Sequence, residues 1–142
     1  MFNSYGWIRL GMNRIHLDIM DEEVQKKYDM LDIKLNEKVR KRLDEILTTN
    51  EIIRFDYICS MNNLDSFLSL QLSRNHFNST LREFYKWVSE ISDGSHGILH
   101  EFNDEGKDFD PNRPYRVWRL IANEFEECEE NIINPKYHIV NY

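Results

Sequence analysis

Apolar positions along this chain keep two different rhythms, and the change from one to the other divides it into elements. From about Asp21 to Leu47, residues Val24, Tyr28, Leu31, Leu35, Val39, Leu43 and Ile46 recur at steps of three and four. That spacing places side chains on one stripe of an α-helix. Asp21 suits the N-cap, and Glu22 and Glu23 fall in the first turn, where the helix dipole favours negative charge. Asn50 supplies a stop. The remaining positions interleave lysines and arginines with acids, so the other side of this helix faces solvent. A helix this long and this one-sided covers something flat.

The second rhythm has a period of two, the mark of a strand with unlike faces. In Ile53–Met61 the odd positions are apolar and the even ones mostly polar, and farther on Leu68, Leu70 and Leu72 alternate with Ser69, Gln71 and Ser73. Asn62-Asn63-Leu64-Asp65 between them has turn composition, so the two runs predict a hairpin. Tyr5–Leu10, aromatic and β-branched, reads as a first strand. Gly97–Phe102 and Tyr115–Ala122 read as two more, joined by a loop from Asn103 to Pro114. Apolar residues on both faces of Tyr115–Ala122 place it centrally in the sheet or cover it on both sides. Between the hairpins Leu81, Phe84, Val88 and Ile91 form a second helical stripe. Thr80 with Glu83 has capping-box spacing, and Asp93-Gly94 ends the helix. The tail after Asn123 has no clear rhythm. The reading is α+β: an antiparallel sheet of about five strands with two helices, in the order β-α-β-β-α-β-β, forming one domain over residues 1-142.

Composition supports an ordered core. Of 142 residues, 41% are hydrophobic and 13% aromatic, which excludes a disordered chain. Cys59 and Cys128 lie far apart with no CxxC, so neither a disulfide framework nor a zinc cluster is implied. Cys59 falls on the apolar face of its strand and is expected in the core, whereas Cys128 sits among glutamates. No apolar run reaches the ~18 residues of a membrane span, and the opening lacks the order of a signal peptide. The expectation is a cytoplasmic protein without membrane contact. Charge adds more. Acids outnumber bases 25 to 18, and residues 101–142 alone hold 10 acids against 5 bases. Such a surface repels phosphate backbones, excluding direct nucleic-acid binding, and favours a basic protein partner.

Catalytic signatures are absent: there is no phosphate-cradling loop, dinucleotide fingerprint or nucleophile elbow. His96 and His100, four apart on a strand, share a face and could serve acid–base chemistry with the adjacent Glu101. A small hydrolase or nuclease built on these three is therefore the alternative function, and a generic adaptor domain a third. The stretch from Glu101 to Asn112 has glycine at the sixth place of a calcium loop but lacks its first aspartate and last glutamate, so no metal and no cofactor is expected. Trp7, Trp87 and Trp118 all lie within regular elements and are expected to pack in the core.

Two segments together carry a family likeness. Tyr5-Gly6-Trp7-Ile8 at the opening and Gly94-Ser95-His96-Gly97-Ile98-Leu99-His100 entering a strand resemble the bacterial immunity-protein family numbered seven. Asn75-His76 before the second helix, the acidic turn Asn103-Asp104-Glu105 and the strand from Tyr115 to Leu120 fall in the same order as in that family. His96 and His100 stand where its members usually carry tyrosines. The resemblance implies a small cytoplasmic α+β protein, encoded beside a polymorphic or contact-dependent toxin, that binds and neutralises the toxin domain without catalysis. It marks Gly6, Trp7, Gly94, Ser95, Gly97, His100 and Trp118 as the family-motif, structural positions.

With a basic nuclease cleft as the expected partner, the acids of the last third become the toxin-binding candidates: Glu101, Asp104, Glu105, Asp108 and Asp110, with Glu126 and Glu127. The protein itself is expected to be a monomer or weak dimer.

Overall fold

The alternating runs join into one sheet. The computed structural model describes residues 1–12, 22–49, 53–59, 66–105 and 109–128. They form β1 (Phe2–Leu10), α1 (Glu22–Thr49), β2 (Ile53–Cys59), β3 (Ser66–Arg74), α2 (Thr80–Ile91), β4 (His96–Asn103), β5 (Tyr115–Ile121) and β6 (Glu124–Cys128). The strands lie side by side as β2-β3-β1-β4-β5-β6, and every neighbouring pair is antiparallel. The α+β class and the element order expected from sequence hold through β5. The segment after Asn123 adds a sixth strand, whose sequence Glu-Phe-Glu-Glu-Cys is too short and too charged to announce itself.

Period-two patterning assigns the two faces. On β1 and β3 the even positions, Phe2, Ile8, Leu10, Leu68, Leu70 and Leu72, are buried, and Leu99 of β4 and Leu120 of β5 join them. Against this face pack Leu35, Val39 and Leu43 of α1 and Leu81, Phe84, Tyr85 and Val88 of α2, giving one continuous core. The helical stripes read from the sequence are the buried stripes.

Three local expectations differ. The Thr80–Glu83 box does not form: Ser79 is the N-cap and makes no side-chain cap bond, while Asn78 Oδ1 accepts from the Thr80 amide at 2.9 Å. The chain turns into α2 one residue early, so an Asx turn does the capping. The helix then ends at Ile91, where the Ser92 amide donates to Val88 O. β5 is internal to the sheet but covered on one side only, since Tyr115 and Ile121 are exposed. Asp21, Asn50, the Asn62–Asp65 turn and the tail from residue 129 lie outside the described residues, as do the β2 side chains, Cys59 included.

Candidate functional site

One side of the sheet carries both helices; the other carries no described element. On that open side β1 presents Tyr5 and Trp7, which are 52% and 39% exposed, and β3 presents Phe67 at 45%. The family-motif tryptophan Trp7 is therefore not the core residue the sequence suggested. Its β1 neighbours Ile8 and Gly6 point their side of the strand to the helices, and alternation sends Trp7 outward. Trp118 and Trp87 behave as expected: both are partly buried against the core, and Trp118 stacks on Phe125 at 5.3 Å.

The exposed rings are held in pairs. Tyr5 stacks on His100 across the β1–β4 register, with centroids 5.1 Å apart, and Trp7 meets His96 edge-on at 5.8 Å. Phe102 and Tyr115 form a third pair at 4.8 Å. Cross-strand pairs of this kind stabilise a sheet and restrict the rings that form them.

Beneath them the backbone is pinned. A Cβ on Gly6 would stand 2.0 Å from Ile98 O, and one on Gly97 would stand 2.2 Å from Trp7 O. The two glycines thus open a notch in which both carbonyls accept from the buried Tyr85 hydroxyl, at 3.3 Å for Trp7 and 3.0 Å for Ile98. Burial pushes the Tyr85 phenol far above its ordinary pKa, so it stays a donor. A second tie joins the strand ends. Ser92 Oγ and Ser95 Oγ lie 2.6 Å apart; Ser92 donates to Gly11 O, and Ser95 accepts from the Gly11 amide. Ser95 follows Gly94 in the motif, and its carbonyl also accepts from Ala122 at the β5–β6 turn. The motif residues Gly6, Gly97 and Ser95 are joints of the scaffold.

The acidic candidates do not form one surface. Glu101, 3% exposed, lies on the helix side of β4. It receives Arg82 through both oxygens, at 2.6 and 3.2 Å, and the Trp118 indole N–H at 2.8 Å. Arg82 is itself laid over the Trp118 ring at 4.3 Å and the Phe77 ring at 5.0 Å. Glu127 also faces the helix side, bound by Arg116 at 2.6 and 2.8 Å and by Arg113 at 3.1 Å. That Arg116 hydrogen bond holds its carboxyl below the usual glutamate value. Glu126, on the open side, pairs with Arg119. Asp104 and Glu105 are exposed and take the Met1 amino group at 2.5 and 3.3 Å; Asp110 is exposed and caps its own turn through the Asn112 amide. Asp108 lies outside the described residues.

The geometry also separates the parts of the hydrolase alternative. His96 and His100 share the open side, but Glu101 points through the sheet to Arg82. No carboxylate joins the two histidines from their own strand. Among the described residues no group of three or more His, Cys, Asp or Glu is placed to hold a metal ion.

A helix-backed sheet with one open aromatic face, and histidines without a catalytic partner on their own strand, describes a small α+β domain of the kind that presents a surface. The chain belongs to the family described as Immunity protein 7, whose model matches residues 1–141. No curated protein and no solved structure gives a significant match. The family is one of immunity proteins, which implies a toxin protein as partner and a role without catalysis.

Proposed function

We propose that this protein binds one cognate toxin domain, a nuclease, and neutralises it by occupying its active-site cleft inside the cytoplasm of the producing cell. The observation that carries the reading is the family match over residues 1–141. The net charge of −7 supports the nuclease part. A cleft that holds phosphate is lined with lysine and arginine, and an acidic protein approaches it faster than a neutral one and excludes the substrate once seated. Of the acids expected at the contact, Asp104, Glu105 and Asp110 are exposed, which supports a part for them in the encounter. Glu101 and Glu127 instead hold the scaffold that presents the surface.

The test is a titration of this protein into a turnover assay of the toxin domain encoded by the adjacent open reading frame. Turnover should fall linearly and vanish near one equivalent. Undiminished turnover at a large excess would contradict the reading.

A further inference from the structure

We infer that the open face of the sheet, centred on Tyr5, Trp7, His96 and His100, is where the toxin domain docks, through an apolar patch on a basic domain. The inference rests on the neutralisation reading above and names its surface.

Size comes first. Strands of five to nine residues at ~3.3 Å per residue and ~4.8 Å spacing give a six-strand face of roughly 600 Å2. That figure, before side-chain relief, approaches the ~800 Å2 per partner of a standard protein–protein interface. Chemistry comes second. Tyrosine and tryptophan are the residues that concentrate binding energy at the centre of interfaces, and here they stand exposed on a strand whose other side buries Phe2, Ile8 and Leu10. Their pairing with His100 and His96 restricts them before any partner arrives, and Tyr85 fixes the two strands beneath, so little ordering remains to be done on binding.

Charge decides the occupant. Around the rings the face also carries Arg9, opposite His96 in the β1–β4 register, and Arg119, whose partner Glu126 stands on the β6 margin with Glu124. The net charge of −7 favours a basic partner, and the exposed rings favour one that offers an apolar patch. A second copy of this chain fits poorly, since two bodies of net charge −7 repel each other. The solvent side of α1 is the other large surface, but there lysines alternate with acids, and Met30 and Ile33 are its only exposed large apolar residues among those described.

The experiment is calorimetric titration of the full chain with the catalytically inactivated toxin domain of the adjacent open reading frame, repeated with Trp7→Thr, Tyr5→Lys and, on α1, Met30→Ala. Threonine suits a strand, and the lysine put in place of the exposed Tyr5 opposes a basic partner. Trp7→Thr and Tyr5→Lys should each weaken binding by about thirtyfold or more, with Met30→Ala unchanged and all unfolding midpoints within a few degrees. Should Trp7→Thr unfold, Tyr5→Lys carries the test alone. No binding by the wild type overturns the neutralisation reading and this inference with it. Wild-type binding that both folded variants retain overturns the docking face only. Sedimentation showing a dimer that these variants dissolve, with toxin binding intact, also overturns it and assigns the face to a second copy.

Discussion

Tyr85 is buried, yet its one hydroxyl serves two strands, accepted by the carbonyls of Trp7 and Ile98. Tyr85→Phe removes this buried donor from both carbonyls and should cost about 1–3 kcal/mol in a denaturant titration. Gly97→Ala drives a methyl to 2.2 Å from Trp7 O, and should destabilise by a similar ~1–3 kcal/mol through overpacking. Ala122 has φ 53° in the two-residue turn between Ile121 and Glu124. Glycine accepts that conformation without a Cβ, so Ala122→Gly should leave stability unchanged or raise it by up to ~1 kcal/mol. A loss of more than that in the same titration would mean that the methyl makes contacts that matter. For Glu127, the Arg116 bond lowers the folded-state pKa from its ordinary 4.5. A depressed carboxyl stabilises the fold above its unfolded value and loses that contribution as pH falls through the folded one. Stability measured below pH ~4.5 should therefore drop less steeply in Glu127→Gln than in the wild type.

Among elements, α1 shows most directly how sequence pattern becomes packing. Leu43 stands on the buried stripe and Met30 on the exposed side. Leu43→Ala should cost about 2–5 kcal/mol by leaving a cavity, whereas Met30→Ala should change the unfolding midpoint little. Elements with a strong period were legible: both helices, the β2–β3 hairpin, and β4 with β5. β6 was not, because its glutamates alternate with Phe125 over only five residues, and its place depends on pairing with β5. The face of Trp7 was also hidden. Tyr5-Gly6-Trp7-Ile8 carries apolar residues at both parities, and only the neighbouring strands decide which parity the helices cover. A strand apolar on both sides, with two helices for six strands among the described residues, is the signal that one side carries exposed rings.

At the scale of the molecule, the described acids of residues 101–128 do not gather on one face. Glu101 and Glu127 turned inward to arginines, and Glu126 paired with Arg119. A charge count cannot see this, because it ignores which strand face each acid occupies. On the proposed function, the acids that remain exposed steer the encounter. Reversing Asp104, Glu105 and Asp110 to lysine should slow association with the toxin domain several-fold at low salt and flatten its salt dependence, with the unfolding midpoint nearly unchanged. Stopped-flow association over a salt series reads both. Neutralisation itself is read most directly by growth. Cells induced to express the toxin domain of the adjacent open reading frame should survive when they carry this protein. They should die when it carries Trp7→Thr with Tyr5→Lys, provided the doubly substituted chain accumulates to the wild-type level. Death with the wild-type protein, or survival with the substituted one, would contradict the account.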